Sequence, residues 1–135
     1  DDVVLHGIKG DFCAAASFSG VLSMEILNLD PDLQRKEEFI LLFGDLNKLH
    51  DSVHDPMVWF QEAAQEPSRL PRLFISCGRQ DDLYPLNKLA VEALNKLGIP
   101  VDYYEQDARH DWLFWDPQIR RFLKAVLGEP PQPGQ

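Results

Sequence analysis

The sequence predicts an α/β fold in which a three-stranded parallel sheet is flanked by helices. Residues 73–77, LFISC, form a short apolar run between Pro71 and Gly78, and such a run suits a strand buried on both faces of a parallel sheet. Helical patterns separate this run from two other strand-like runs. A helix between successive strands needs a crossover, and crossovers produce parallel sheets.

The first strand is expected within residues 12–18, FCAAASF, which are apolar and mostly small. Ser19 and Gly20 close this run, so we expect a buried strand over residues 14–18. Residues 22–29 that follow are expected to form an irregular excursion.

Two Asp-Pro pairs, at positions 30–31 and 55–56, provide an N-cap residue followed by proline at the first helical position. This combination is a recognised helix start signal. The sequence after the first pair predicts a helix over residues 36–44 that ends at its glycine. The second pair predicts a short helix over residues 56–66.

Residues 85–97 give the clearest helical pattern, because their apolar residues recur at the spacing of one helix face. That face comprises Leu86, Leu89, Ala90, Ala93, Leu94 and Leu97. Gly98 stands where a left-handed C-terminal cap is expected, and Pro100 prevents continuation of the helix. Residues 101–105, VDYYE, alternate and predict a strand.

A third Asp-Pro pair, at positions 116–117, predicts the start of the last helix. The side chains expected to be buried on that helix are Ile119, Phe122, Leu123, Val126 and Leu127. We therefore expect one domain over residues 1–127, followed by a proline-rich flexible tail over residues 128–135.

The three strands, over residues 14–18, 73–77 and 101–104, are expected to be adjacent, parallel and in that order. Three strands are few for such a sheet, and an open sheet edge is a liability. The pattern therefore indicates half of an α/β domain.

Composition excludes several function classes. The chain has 135 residues, of which 44% are apolar and 26% charged, as in an ordinary globular domain. A net charge of -9 argues against a nucleic-acid partner, which needs clustered Lys and Arg. No apolar run has transmembrane length and no signal-peptide pattern is present. Cys13 and Cys77 both lie in predicted strands and are expected to be free thiols, which favours a cytoplasmic location.

The candidate catalytic residues are Asp81 and His110, each of which follows a predicted strand. Carboxyl ends of neighbouring parallel strands meet at one edge of the sheet, where α/β folds bind ligands. An acid that holds one imidazole nitrogen leaves the other as a base, as in a nucleophile triad. Alternatively, Asp81 caps the next helix and His110 is a loop histidine. Asp82 could replace Asp81 in either interpretation.

Aromatic residues follow His110 directly. Trp112 and Phe114 are candidates for the substrate pocket, where they would exclude water and shape an acyl site, whereas Trp115 is expected in the core. His50 and His54, with Asp51 and Asp55 beside them, superficially resemble a metal site. A solvated polar loop explains that group better, because no further ligand cluster accompanies it.

A family resemblance is carried by FCAAASFSG and by LFISCGRQDDLYPLNKLAVEALNKLGIPVDYYEQDARHDWLFWDPQIRRFL. Over residues 12–127 the chain resembles the C-terminal half of the tributyrin esterase and esterase D (S-formylglutathione hydrolase) branch of the α/β-hydrolases. That family shows AAASFSG, a CGTEDxLY-like turn with the triad acid, and GGHDWxFWD with the triad histidine. The resemblance implies a partial α/β-hydrolase fold containing the family's last three strands, with Asp81 as acid and His110 as base.

The chain departs from the family pattern at Arg109, where glycine is usual, and at positions 79–80, where Arg-Gln replaces Thr-Glu. The family's GxSxG serine belongs before the AAASFSG strand, and Ser23 is a poor substitute because no glycine stands two residues after it. Without a serine no acyl intermediate forms. We therefore expect the 135-residue chain to be inactive by itself.

The resemblance implies a serine carboxylesterase that hydrolyses short-chain esters or thioesters, with a small substrate as its partner. Neither a metal nor an organic cofactor is indicated. The rival hypothesis is a non-catalytic binding or assembly module that self-associates, or pairs with a missing N-terminal half, through its open sheet edge. Reading the upstream coding sequence for GxSxG would discriminate between the two.

Overall fold

The structure, a computed structural model, describes residues 12–24, 36–50 and 52–129. The expected irregular segment 22–29 lies mostly outside these residues, and the helix start at 30–31 lies entirely outside them. The expected tail over residues 128–135 also lies outside the described residues, except for its first two residues.

The centre of the fold is a three-stranded parallel sheet made of β1 (Ala14–Phe18), β2 (Arg72–Gly78) and β3 (Val101–Gln106). Strand β2 lies in the middle and pairs in parallel with both neighbours. The predicted parallel sheet and its strand order are confirmed. Because all three strands run in the same direction, their carboxyl ends meet at one edge of the sheet.

The three strands differ in burial. Six of the seven residues of β2 are buried, as predicted for the central strand. Strand β1 was also predicted to be buried, but its residues are half-buried and Cys13 just before it is exposed. This prediction was wrong because β1 is an edge strand of the described sheet, with a neighbour on one side.

Four α-helices occur in the described part of the chain. They are α1 (Lys36–Phe43), α2 (Pro56–Ala63), α3 (Tyr84–Lys96) and α4 (Trp112–Leu127). The helices expected over residues 36–44, 56–66 and 85–97 are confirmed, with ends within a few residues of the prediction. Gly98 has a φ of 76°, so the left-handed end expected after α3 is also present.

The N-cap of α2 is formed by Asp55, as its Asp-Pro pair predicts. Its carboxylate Oδ1 accepts the backbone N–H of Met57 at 3.1 Å and that of Met24 at 3.2 Å. Asp55 is fully buried. One side chain therefore begins the helix and anchors the segment that follows β1.

The start of α4 was predicted at Pro117, and this prediction was wrong. The helix begins at Trp112, and Asp111 is its N-cap, with Oδ1 accepting the N–H of Phe114 at 3.2 Å. Pro117 lies inside the helix. The earlier start is favoured because the helix then buries Phe114 completely against the rest of the fold. Gln118 of the same helix is nearly completely buried.

Alternate residues of β2 point to opposite faces of the sheet, and each face is covered by a helix. On one face Leu73 and Ile75 join a core cluster with Val91 and Leu94 of α3 and Phe60 of α2.

On the other face, Phe122 of α4 packs against Phe74 at a ring-centroid distance of 5.2 Å and against Phe18 at 6.5 Å. The sheet is thus covered on both sides, and its carboxyl edge stays free for the site.

The buried faces of the two long helices differ in part from the prediction. Leu89 and Leu97 of the α3 pattern are exposed, and Asn87 and Val91 are buried in their place. In α4, Leu123 and Leu127 are exposed, because one side of the helix suffices to cover a narrow sheet. Ile119, Phe122 and Val126 are half-buried.

Candidate active site

Two loops at the carboxyl edge of the sheet are held together by backbone contacts. The loop after β2 donates from Arg79 N to Gln106 O at 2.8 Å and from Gln80 N to Ala108 O at 3.0 Å. Gly78 permits this approach, because an added Cβ would lie 2.6 Å from the carbonyl carbon of Ala108. The loops that follow β2 and β3 therefore lie side by side at this edge of the sheet.

Asp81 uses both of its carboxylate oxygens. Oδ1 accepts the backbone N–H of Leu83 at 2.9 Å, and Oδ2 lies 2.9 Å from Nδ1 of His110. Its side chain is completely buried. Asp81 is therefore a partner of His110. The alternative, that Asp81 caps the next helix, is wrong, because the N-cap residue of α3 is Leu83 and no side chain caps that helix. Asp82 is exposed.

The contact with Asp81 determines the tautomer of His110. A carboxylate accepts hydrogen bonds, so Nδ1 must carry the proton that is donated to Oδ2. Nε2 then keeps its lone pair and can act as a base. The side chain of His110 is 49% exposed, which leaves this nitrogen accessible to a reacting group.

A cavity of about 510 Å³ lies at the acid–histidine pair. It is lined by Gln80, Asp81, Asp82, Arg109, His110 and Asp111. A second hollow, of about 580 Å³, lies at the opposite edge of the sheet beside the starts of β2 and β3. Its lining includes Arg72 and Asp102 but no histidine or cysteine, so the first cavity is the one that holds an acid–histidine pair.

The aromatic residues after His110 occupy different environments. Trp115 meets the imidazole ring edge-on, with centroids 4.8 Å apart and planes at 88°. Trp112 packs against Trp115 at 5.4 Å and is 69% exposed, whereas Phe114 is fully buried. Trp115, expected in the core, is half-buried. Neither Trp112 nor Phe114, the two predicted pocket residues, lines the cavity at His110.

Ser19 comes directly after β1 and contacts Trp115, which packs against the ring of His110. Its Oγ accepts a hydrogen bond from Nε1 of Trp115 at 3.3 Å, and Ser19 is 4% exposed. Its φ of 55° is in the left-handed region, which is uncommon for a residue with a Cβ.

Cys77, at the end of β2, is fully buried and free. Burial, and next the negative charge of Asp81, raise the pKa of its thiol to about 12. Cys77 therefore stays a thiol at neutral pH and is unsuited to act as a nucleophile. Both cysteines of the chain are free, as predicted.

The positions that depart from the family pattern surround the site. Arg79 binds Glu105 at 3.1 Å and Asp107 at 2.9 Å, so it connects the loop after β2 to the end of β3. Arg109 is exposed at the cavity.

The histidine pair at 50 and 54 does not form a metal site in the described residues. The ring of His54 packs against Phe43 at 5.4 Å, and Asp55 caps α2. Asp51 lies outside the described residues. Nowhere in residues 12–24, 36–50 and 52–129 do three His, Cys, Asp or Glu side chains group to hold a metal ion.

Sequence reasoning missed the contacts that surround the pair. The bond between Ser19 and Trp115 joins residues 96 positions apart, and no local pattern signals it. Asp111 as the cap of α4 could have been found, since it is an aspartate three residues before Phe114 in an apolar segment.

None of the described helices is long and apolar enough to cross a membrane.

The chain is similar to known esterases in sequence and in fold. No family model matches the chain. Over 78 residues it is 37% identical to an acetyl esterase of Caldicellulosiruptor saccharolyticus, an alignment that covers 58% of the chain and 29% of the esterase.

Solved structures give a likeness over most of the chain. The S-formylglutathione hydrolase FrmB of Staphylococcus aureus matches with a TM-score of 0.73 and 27% identity, over 92% of this chain and 50% of that one. FphF, a fluorophosphonate-binding serine hydrolase of the same organism, matches with a TM-score of 0.73 and 24% identity, over 93% and 51%. A ferulic acid esterase, with a TM-score of 0.64 and 19% identity over 91% and 45%, shares the fold.

The chain thus spans about half the length of the solved structures it matches. The chain has a partial α/β-hydrolase fold, and it is similar to about half of an esterase D-like chain.

Proposed function

We propose that the full-length protein is a serine carboxylesterase that hydrolyses short-chain esters or thioesters. The observation that carries the proposal is the buried carboxylate of Asp81, which holds Nδ1 of a half-exposed His110 at 2.9 Å. This geometry prepares Nε2 to accept a proton at the cavity.

In this mechanism a serine hydroxyl attacks the ester carbonyl while His110 Nε2 removes its proton. The imidazolium then returns that proton to the departing alcohol or thiol, and an acyl-serine remains. In the second half, His110 takes a proton from water, which attacks the acyl-serine. As the bond to the serine oxygen breaks and the acid is released, His110 returns that proton to the serine oxygen. Asp81 orients the imidazole throughout and stabilises its positive form.

We place the attacking serine in a part of the protein beyond the described residues. Within residues 12–24, 36–50 and 52–129, no serine hydroxyl hydrogen-bonds to His110. Ser19, near the pair, is buried and accepts from Trp115. We therefore also propose that the 135-residue polypeptide alone hydrolyses p-nitrophenyl acetate no faster than its His110→Ala variant.

The proposal is tested by steady-state hydrolysis of p-nitrophenyl acetate with the full-length protein. Loss of the base in a triad lowers kcat by on the order of 10⁶, and an amide in place of the acid by about 10⁴. We expect losses of this order for His110→Ala and Asp81→Asn. The control His54→Ala should retain activity within about a factor of three, since His54 is exposed and does not line the cavity at His110. Full activity of His110→Ala would refute the assignment.

The rival hypothesis, a non-catalytic module that pairs through its sheet edge, is not favoured. Such a module has no need for a fully buried carboxylate, whose burial is costly unless it is paired. We also propose a cytoplasmic location, which the two free thiols support.

A further inference from the structure

We propose that Trp115 and Ser19 are positioning residues for His110, an inference that rests on the proposed function. The bond from Trp115 Nε1 to Ser19 Oγ holds the indole against the imidazole. The indole in turn keeps the imidazole aligned with Asp81 and with the reacting group.

His110 needs a second restraint because one hydrogen bond does not fix a ring. The contact between Nδ1 and Asp81 fixes one atom, and the ring can still tilt about that contact. The side chain of His110 is 49% exposed, and solvent on its exposed side does not prevent the ring from tilting. Trp115 meets the ring at 88° with centroids 4.8 Å apart, which blocks this movement from one side. An edge-on arrangement of this kind is a favourable aromatic geometry.

The position of Ser19 is fixed, so that its hydroxyl can hold the indole in place. It is buried, and its backbone N–H donates to Ser76 O at 2.8 Å, which fixes the residue to the end of the sheet. Its φ of 55° is uncommon for a side chain with a Cβ. Unusual backbone conformations of this kind occur where the surroundings impose them, often at functional sites.

Three contacts connect Ser19 to the acid. Ser19 accepts from Trp115, Trp115 meets the ring of His110, and His110 binds Asp81. A change at Ser19 can therefore reach His110 through the indole.

The test uses Trp115→Phe, Ser19→Ala and the double variant in the full-length protein, with p-nitrophenyl acetate as substrate. Each single change removes one end of the same hydrogen bond. We expect kcat to fall about three- to tenfold with KM unchanged, as for loss of one neutral hydrogen bond. The double variant should fall no further than either single one, because both remove the same interaction. Trp115→Leu, which also removes the ring, should lose roughly 100-fold, in line with a misplaced catalytic group.

Matched controls separate positioning from packing. Ser76 is buried on β2 and its hydroxyl has no partner within the described residues, so Ser76→Ala should leave kcat unchanged. Trp59 also donates its indole N–H, to Val53 O at 2.8 Å, and Trp59→Phe should leave kcat unchanged. Ser19→Gly loses the hydroxyl while accommodating the left-handed backbone. It should show the same kcat as Ser19→Ala, which would exclude impaired folding of the alanine variant as the cause of the loss.

Nitrogen-15 spectra of the His110 imidazole give a second measurement. The wild-type ring should be one tautomer, with the proton on Nδ1, and the single variants should show a mixture. Additive losses of kcat in the double variant would overturn the inference. So would single variants whose kcat and His110 tautomer equal those of the control variants. If His110→Ala keeps activity, the proposed function fails. If His110→Ala abolishes activity while Trp115→Phe and Ser19→Ala match the controls, the positioning role alone fails.

Discussion

Replacing Gly78 with alanine tests how closely the two loops of the site are held together. An ideal Cβ at this position would lie 2.6 Å from the carbonyl carbon of Ala108, and still closer to its oxygen. Both atoms are backbone, so no side-chain rotation relieves the contact. Restoring an ordinary contact of 3.4 Å to the carbon alone needs a movement of about 0.8 Å in the loop that carries His110, and clearing the nearer oxygen needs a larger one.

The cost follows from the contacts that this movement disturbs. Overpacking of this kind typically costs about 1–3 kcal/mol. The hydrogen bond from Gln80 N to Ala108 O would lengthen, with a loss of about 1 kcal/mol. We therefore expect the free energy of unfolding of Gly78→Ala to fall by about 2–4 kcal/mol. A shift approaching 1 Å in His110 should also lower kcat by roughly 100-fold.

Urea unfolding and p-nitrophenyl acetate hydrolysis measure the two effects. Gly44→Ala is the control, because Gly44 has a φ of 77° but an added Cβ would meet nothing within 4 Å. That variant should lose about 1–2 kcal/mol from backbone conformation alone and keep its kcat. Wild-type stability and kcat in Gly78→Ala would show that the two loops are not held as the structure indicates.

Two further predictions concern buried groups. Asp55→Ala should lower the free energy of unfolding by about 2–3 kcal/mol, because it removes a helix cap and a second buried bond to Met24. Asp55→Asn keeps the accepting oxygen and should lose less than half as much in urea unfolding; equal losses would contradict this account. In the native protein iodoacetamide should alkylate exposed Cys13 and leave Cys77 unmodified, as checked by peptide mass spectrometry, because Cys77 is fully buried and its pKa is raised to about 12. Equal modification of both thiols would show that Cys77 is not enclosed.

The parts of the fold that were predicted correctly depend on local patterns. Strand β2 was recognised because a buried central strand is continuously apolar, and α3 because its apolar residues recur at helical spacing. The meeting of Asp81 and His110 followed from topology, since neighbouring parallel strands bring their carboxyl ends together.

The errors have tertiary causes. Both Asp111 and Asp116 can cap a helix, and the choice between them depends on the burial of Phe114, which sequence spacing does not reveal. The half-buried state of β1 depends on its place at a sheet edge.

The contacts of Trp115 with Ser19 and with His110 could not be predicted from the sequence. Ser19 follows β1 whereas His110 and Trp115 follow β3, and both contacts depend on the packed arrangement of strand ends and helix α4. Side-chain contacts over such separations become visible once the fold places the segments together.

The central claim is that His110 and Asp81 activate a serine, and covalent labelling with a fluorophosphonate measures this most directly. The full-length protein should form one adduct on a serine, located by peptide mass spectrometry. The labelling rate should fall by at least about 10³-fold in His110→Ala, since the serine then lacks its base. Absence of labelling in the wild-type protein, or an equal rate in His110→Ala, would contradict the account.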